Sequence, residues 1–185
     1  MKIILLRHGK SNTPSLDKLS ASDFSGWVRE YNDSGLDLAS EPTHEALACA
    51  NDCNAIVCSN LPRSIESGNA LNPEKVILKD SIFNEAGLPT ANWHKPNLPP
   101  KLWAVFFRVL WLFGYSRDSE SFKEAKYRAV KAVEVLMSLA DEHSKVVFVG
   151  HGVYNRILAN ELRRNGWVGP KNPGSKYWSY GVYKR

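Results

Sequence analysis

The sequence predicts an α/β fold: a three-layer sandwich with a mostly parallel central sheet flanked by helices. Two observations predict it. Apolar runs of three or four residues alternate with longer segments in which apolar residues recur every three or four positions. Three of the four best-defined apolar runs are also followed directly by polar residues. In open α/β sheets, ligands bind at the carboxyl ends of the strands, where such polar residues are expected. With 185 residues, the chain is predicted to form a single domain, 1–185.

The strands are predicted from apolar runs that are too short for helices. Residues 3–6 form the first run, and runs of this kind are typical of strands buried on both faces. Residues 12–19, after this strand, are predicted as a loop. The other strands are predicted at 55–58, 76–78 and 146–149, with an edge strand at 177–183.

The helices are predicted from the spacing of apolar residues and from capping residues. Ser22 or Asp23 is expected to cap the first helix and Thr43 the second, while Pro73 ends the third. The helices are predicted at 22–31, 43–52, 64–71, 119–143 and 153–164.

Residues 89–118 interrupt this alternation and are predicted as an insertion. The first part, 89–100, contains four prolines and is predicted to be irregular. Between residues 102 and 113 only Arg108 is not apolar, which predicts a helix without a polar face. Such a run is too short to cross a bilayer, which takes about 20 apolar residues.

Three roles stay open for the apolar helix at 102–113. It could be a buried helix that closes over the active site, a homodimer contact, or a membrane-surface anchor flanked by Lys101, Arg108 and Arg117. The first role is favoured because helices that are apolar all round are usually buried. The membrane role predicts that the contact is made by Trp103, Phe107 and Trp111.

The charge balance favours an anionic partner. The 24 Lys and Arg residues against 19 Asp and Glu give a net charge of +5. These charges are dispersed without a basic run, so no nucleic-acid partner is expected. The odd number of cysteines argues against a disulfide framework and favours reduced thiols, at Cys49, Cys53 and Cys58. The apolar stretch before Arg7 is too short for a signal peptide, so a cytoplasmic location is expected.

Residues that can bind phosphate or transfer protons follow each of the first four predicted strands. Arg7 and His8 follow the first strand, and Arg63 comes shortly after the second. Glu85 follows the third strand, and His151 lies between two glycines after the fourth. Because parallel strands bring their carboxyl ends to one edge of the sheet, we expect these side chains to converge. A guanidinium group can bind an anion through two parallel N–H hydrogen bonds, and an imidazole can act as nucleophile or base.

Four segments together resemble the histidine phosphatase superfamily, which has the phosphoglycerate-mutase-like fold. The opening Leu-Leu-Arg-His-Gly-Lys-Ser is similar to the first motif of that family, and Val-Gly-His-Gly to its late histidine motif. Cys-Ser-Asn-Leu-Pro-Arg-Ser-Ile-Glu-Ser resembles the second motif, and Phe-Asn-Glu-Ala-Gly the acidic loop. The matches run in the family's order from residue 3 to about residue 158.

The resemblance implies roles for the clustered residues. His8 would be the nucleophile that becomes a phosphohistidine, and Glu85 would be the acid/base, with Asp80 as its alternative. Phosphate would be bound by Arg7, Arg63 and a protonated His151. No metal and no cofactor would be needed. The insertion, 89–118, would cover the substrate.

Four further residues are placed around this cluster. Ser59 is expected to cap the helix that carries Arg63, with a phosphate contact as its second role. Asn12 is a secondary candidate for the site, and Glu66 is expected to orient neighbouring groups. Lys10 stands where many relatives carry an acidic residue, which makes the mouth of the site more positive.

The resemblance thus predicts a phosphatase that hydrolyses a phosphomonoester, either a small molecule or a phosphoprotein. Alternatives within the class are a phosphohistidine-protein phosphatase and a phosphomutase. Alternatives outside the class are a non-catalytic phosphate-binding protein and a membrane-peripheral protein. The sequence does not name the substrate.

Overall fold

The computed structural model describes residues 1–13 and 17–185, so part of the predicted loop at 12–19 lies outside the described residues. It has the α/β architecture that the sequence predicts, a five-stranded sheet between layers of helices. The strands are β1 Lys2–Arg7, β2 Ala55–Ser59, β3 Val76–Asp80, β4 Lys145–Gly150 and β5 Tyr180–Lys184. The helices are α1 Ala21–Asp33, α2 His44–Asn51, α3 Pro62–Leu71, α4 Pro100–Leu112, α5 Phe122–His143 and α6 Gly152–Arg164.

The sheet is mostly parallel, with the order β3-β2-β4-β1-β5. Strands β1 to β4 all run in the same direction, and only β5 is antiparallel to its neighbour, β1, among the strands described. This order places β4 between β1 and β2. The carboxyl ends of these three central strands therefore lie side by side at one edge of the sheet.

Both faces of the sheet are buried at its central strands, β1, β2 and β4. Successive side chains of a strand point to opposite faces, so each strand contributes to both. Ile3 and Leu5 of β1 pack in one apolar cluster with residues of α5 and α6. Ile4 and Leu6 pack on the other face, in a cluster with residues of α2 and α3. This two-sided burial explains why β1 is a continuous apolar run and not an alternating one.

Several predicted boundaries move by a few residues because caps and turns decide them. The cap of α1 is Ser20, so the prediction of Ser22 or Asp23 is wrong: the Ser20 hydroxyl accepts the Asp23 N–H. Thr43 caps α2, as predicted. Helix α5 begins at Phe122 and not at residue 119, because Ser121 and Glu124 form a capping box.

The insertion contains one helix, α4, which is buried on one side only. Trp103, Phe107 and Trp111 are buried, and the first two pack in a cluster with Leu19 and Phe24. The prediction that these three aromatics form a membrane contact is therefore wrong. The opposite side of the same helix is also apolar and is exposed. In the described part of the chain, no helix has the length and apolar character needed to cross a membrane.

Candidate active site

Strand pairing brings the two predicted histidines together. Arg7, at the end of β1, is paired in register with Gly150, at the end of β4. The His8 N–H then donates to the Gly150 carbonyl over 3.0 Å. As a result, the ring centroids of His8 and His151 lie 5.0 Å apart. The predicted convergence of these strand ends is present in the structure.

His8 is held in a single orientation by its own loop. Its Nδ1 lies 2.5 Å from the Gly9 carbonyl oxygen, which can only accept, so Nδ1 carries the proton and Nε2 the lone pair. The Gly9 N–H donates to Ser67, whose hydroxyl in turn donates to the Arg63 carbonyl. A Cβ on Gly9 would lie 2.4 Å from the Trp178 ring, so the approach of the two segments requires glycine there.

Burial keeps His8 neutral. The side chain is almost fully buried, and this burial together with the Arg63 guanidinium lowers its pKa to about 3. The bond to Gly9 opposes the shift, and Arg7 adds to it. A neutral imidazole is the form that can attack an electrophile, so His8 is in its nucleophilic state over the whole physiological pH range.

His151 lies at the start of α6 and is completely buried. Its Nε2 is 2.7 Å from the Ser59 hydroxyl, and its buried Nδ1 has no partner among the described residues. Burial, followed by the electrostatic interactions with His8 and with the Arg63 guanidinium, lowers its pKa well below the ordinary value for histidine. The prediction of a protonated His151 is therefore wrong for the ligand-free protein.

Ser59 supports His151 and is not a helix cap. Residue 61 is the N-cap of α3, and no side chain bonds there as a cap. The Ser59 hydroxyl accepts the Leu61 N–H over 3.3 Å and pairs with His151. The predicted capping role is wrong, because Ser59 is the last residue of β2 and lies opposite the end of β4.

Arg63 is fully buried, although arginine rarely is. Its Nη1 donates to the Tyr31 carbonyl over 2.9 Å, and its guanidinium lies 4.2 Å from the centroid of the Tyr31 ring. A more distant contact, 3.4 Å, joins Nη1 to the Asn32 carbonyl. The carboxyl end of helix α1 therefore holds the Arg63 guanidinium. The Nε atom of Arg63 has no partner among the described residues.

Arg7 is held by the carboxyl-terminal part of the chain. Its Nη1 donates to the Ser175 carbonyl, and its guanidinium lies 4.6 Å from the centroid of the Tyr177 ring. The Tyr177 ring is also 6.0 Å from that of His8. The segment at 175–177 therefore covers the histidine side of the site. Like Arg63, Arg7 keeps a buried Nε without a partner in the described part of the chain.

Three orphaned nitrogens thus surround His8: the Nε atoms of Arg7 and Arg63, and Nδ1 of His151. Buried polar atoms in native proteins are nearly always hydrogen-bonded. The two arginines are close enough to lower the pKa of His8 and of His151 by their charge. A cluster of unpartnered nitrogens around a neutral histidine is suited to an anion that brings several acceptor oxygens.

Glu85 lies at the amino end of α6, the helix whose N-cap is His151. Its carboxylate accepts the N–H groups of Val153 (3.2 Å) and Tyr154 (2.8 Å), and the N–H of Ala86 (2.9 Å). A carboxylate is stabilised at a helix amino terminus by these free donors and by the helix dipole. Its charge also reaches Arg63, where it opposes the lowering of the pKa by burial. Glu85 therefore belongs to the cluster.

The other acidic candidates are bound elsewhere. Asp80 accepts the Ile82 N–H and begins a short 3-10 turn at Ser81–Phe83. Glu66 accepts the Leu36 N–H and packs against Gly35, so it orients that loop. These partners leave Glu85 as the carboxylate that the structure places beside His151.

Lys10 and Asn12 lie on the surface beside the loop that Glu66 holds. Lys10 pairs with Asp37 over 2.8 Å. The Asn12 side chain is exposed, and its backbone N–H donates to the Gly35 carbonyl. The contacts of Asn12 therefore hold the loop and do not join it to the buried cluster.

Two arginines that the sequence reasoning did not place in the site hold the loop around Glu85. Arg108 of α4 donates to the carbonyls of Ala86 (2.8 Å) and Gly87 (3.1 Å). Arg128 of α5 donates to the carbonyls of Ile82 (2.7 Å) and Asn84 (2.9 Å). The sequence does distinguish Arg108, because it is the one polar residue in the apolar run at 102–113.

No group of three or more histidine, cysteine or acidic side chains within 1–13 and 17–185 is arranged to hold a metal ion. The three cysteines are free thiols. Burial raises the pKa of Cys53 and of Cys58 to about 12, so these two are inert thiols.

Comparison with solved structures gives the same fold at low sequence identity. A mycobacterial glucosyl-3-phosphoglycerate phosphatase is 18% identical, with a TM-score of 0.63, over 98% of this chain and 88% of that chain. The Rv3214 protein of Mycobacterium tuberculosis is 14% identical, with a TM-score of 0.62, over 98% and 89%. The ecdysone phosphate phosphatase of Bombix mori is 15% identical, with a TM-score of 0.58, over 100% and 89%.

The sequence itself identifies the family. No curated protein matches the chain. The profile of the histidine phosphatase superfamily (branch 1), however, matches residues 3–173, which span every residue of the histidine and arginine cluster. With that match and the shared fold, the chain belongs to branch 1 of the histidine phosphatase superfamily.

Proposed function

We propose that this protein hydrolyses phosphomonoesters through a phosphohistidine intermediate on His8. One observation carries the proposal: a neutral, buried histidine is surrounded by three unpartnered nitrogens, on Arg7, Arg63 and His151. A phosphoryl group offers three acceptor oxygens and an electrophilic phosphorus. The related fold of the mycobacterial phosphatase has been solved with inorganic phosphate, and that of the ecdysone phosphate phosphatase with tungstate, which supports an oxyanion as the ligand here.

In the first step, the Nε2 lone pair of His8 attacks phosphorus and forms a P–N bond. The P–O bond to the alcohol breaks, and the leaving oxygen takes a proton from the Glu85 carboxyl group. The two arginines and His151 donate to the three non-bridging oxygens, where negative charge is concentrated in the transition state. Arg7 must exchange its contact with Ser175 for a contact with the phosphate.

In the second step, water replaces the alcohol on the same side of the phosphorus. The Glu85 carboxylate takes a proton from that water, whose oxygen attacks phosphorus as the P–N bond breaks. Inorganic phosphate and neutral His8 are the products, and Glu85 is again protonated. The same carboxyl group thus serves as acid and then as base. This cycle needs no co-reactant besides water.

The direct test is the hydrolysis of p-nitrophenyl phosphate by the purified protein and by two histidine variants. His8→Asn removes the nucleophile, and we expect it to lower kcat/KM by about 10³-fold or more. His94→Asn is the matched control, because His94 is exposed, and its kcat/KM should equal that of the parent protein.

Two results would contradict the proposal. The first is a folded His8→Asn variant that keeps its turnover. The second is a parent protein that binds inorganic phosphate but hydrolyses no aryl phosphate, which would identify a non-catalytic phosphate-binding protein. Circular dichroism of the variant separates loss of chemistry from loss of fold.

A further inference from the structure

The outer side of α4 is an exposed apolar stripe. Its side chains recur at the spacing of one helix face, and exposure reaches 62% at Val105 and 87% at Phe113. Trp93 is 45% exposed and extends the stripe, since its ring meets that of Phe106 edge-on at 6.1 Å. The apolar stripe consists of Trp93, Leu102, Val105, Phe106, Val109, Leu112 and Phe113.

The stripe is held outward by a rigid inner side. The indole N–H of Trp103 donates to the Leu19 carbonyl, and that of Trp111 donates to the Glu120 carbonyl. The Phe107 ring stacks on Phe24 of α1 at 5.5 Å. Because these buried aromatics fix the rotation of α4, the stripe cannot turn into the core. Exposed apolar surface of this extent usually marks an interaction site.

The charged residues of the segment that carries the stripe all have one sign. From Ala86 to Arg117 the sequence contains no Asp and no Glu. Lys95 and Lys101 are exposed there and form no salt bridge with any described residue. Arg108 is turned inward to the Ala86 and Gly87 carbonyls, and Arg117 pairs with Asp118 over 3.6 Å. The unpaired charge that this segment of the chain carries is therefore positive.

We propose that this stripe docks the protein on the surface of an anionic lipid bilayer. A helix with one apolar face and flanking lysines lies in the interface of such a bilayer, with the lysines near the lipid phosphates. Trp93 suits this position, since indole rings concentrate at the boundary between headgroups and acyl chains. The net charge of +5 adds a long-range attraction to the same surface.

A second copy of the chain is the less suitable occupant of the stripe. In a two-fold dimer the same patch meets itself, so Lys95 and Lys101 of both copies would approach one another. The segment has no carboxylate to neutralise them, and each copy carries a net charge of +5. An anionic lipid surface offers the complementary charge that a second copy lacks.

The test is co-sedimentation with phosphatidylcholine vesicles that contain about one third phosphatidylglycerol, compared with phosphatidylcholine alone. The protein should sediment with the anionic vesicles and much less with the neutral ones. Added salt should weaken binding, because the lysine contribution is screened. Replacing Lys95 and Lys101 by Gln should weaken binding to the anionic vesicles by about fivefold for each lysine removed.

The apolar contribution is tested by Val105→Ser, Val109→Ser and Leu112→Ser combined, all at exposed positions. This triple variant should lose binding by at least about tenfold. The matched control combines Ile77→Ser, Val130→Ser and Val168→Ser, which are exposed on other parts of the surface. It should bind as the parent does.

Three results would overturn the proposal. One is a parent protein that stays in the supernatant with anionic vesicles. Another is equal binding by the stripe variant and the parent. The third is a parent that is dimeric in sedimentation equilibrium, is dissociated by the stripe variant and ignores vesicles, which would assign the stripe to a second copy. Hydrolysis of soluble p-nitrophenyl phosphate is measured in parallel, so that docking and catalysis can fail separately.

Discussion

At the residue scale, the most informative side chain is His8, which is buried beside arginines and is hydrogen-bonded to the described residues through Nδ1 alone. The loss of solvent and the charge of Arg63 both oppose protonation. His151 is in the same position, completely buried and with a depressed pKa. The folded protein therefore keeps both imidazoles neutral, whereas in the unfolded chain both histidines have the ordinary pKa of histidine.

This depression predicts how stability depends on pH. Below the unfolded value of about 6.5, the unfolded chain binds protons at both histidines and the native protein does not. The free energy of unfolding should therefore fall as the pH decreases below about 6.5, by roughly 1.4 kcal/mol per pH unit from His8 down to its folded pKa of about 3. His151, whose pKa is also lowered, should add to this fall in the same direction. His8→Asn should make this fall less steep, as measured by urea unfolding between pH 6 and pH 4. Equal slopes for the variant and the parent would show that the pKa of His8 is not lowered in the folded protein.

Glu85 leads to a second prediction, because a general acid matters most when the leaving group is poor. Glu85→Gln keeps an oxygen that can accept the N–H groups of α6, so the fold should be retained. We expect kcat to fall by about 10²–10⁴ for an alkyl phosphate and by less for p-nitrophenyl phosphate, whose leaving group needs little protonation. Asp80→Asn is the matched control and should leave both rates near those of the parent. The reverse pattern, with Asp80→Asn showing the leaving-group effect, would assign the acid to Asp80.

At the scale of elements, the loop around Glu85 is fixed from two helices. Arg108 reaches it from α4 and Arg128 from α5, and each binds two backbone carbonyls. Glu120 forms a salt bridge with Arg128 and so fixes the guanidinium that binds this second pair of carbonyls. The insertion is thus connected to the site through the backbone that follows Glu85.

Arg108 should therefore act as a positioning residue. Arg108→Met leaves the Ala86 and Gly87 carbonyls without donors, and we expect kcat to fall about tenfold with a smaller change in KM, because Arg108 does not touch the reacting atoms. Arg108→Lys should restore part of kcat, since an ammonium group can bind one of the carbonyls. Arg117→Met, an exposed arginine of the same insertion, is the control. An unchanged kcat in Arg108→Met, or a change in KM alone, would contradict this role.

The elements also show where sequence reasoning ends. The central strands were predictable because runs such as residues 3–6 are apolar on both faces. Helix boundaries were less so: Ser20 and not Ser22 caps α1, since several neighbouring residues could supply the hydroxyl or carboxylate. For α4, both sides are apolar, so the spacing of its residues could not decide which side is buried. The packing of Trp103 and Phe107 on Leu19 and Phe24 decides it.

At the scale of the whole molecule, the sheet order determines the site. Placing β4 between β1 and β2 brings together the residues that follow these strands, although His8 and His151 are far apart in sequence. The position of β4 between β1 and β2 was not predicted, but the convergence of these residues was predictable from the parallel direction of the strands. The contacts of Arg7 with Ser175 and Tyr177 were not, because they depend on how the chain returns to β1 as the antiparallel strand β5.

Trapping of the phosphorylated protein tests the central proposal most directly. The Glu85→Gln variant, which should accumulate the intermediate, is mixed with labelled p-nitrophenyl phosphate, quenched in base and digested. We expect an acid-labile, base-stable label on His8, attached at Nε2 because Nδ1 is hydrogen-bonded to the Gly9 carbonyl. The double variant that carries both Glu85→Gln and His8→Asn should carry no label. A label on any other residue, or turnover with no labelled protein at any quench time, would contradict a phosphohistidine mechanism.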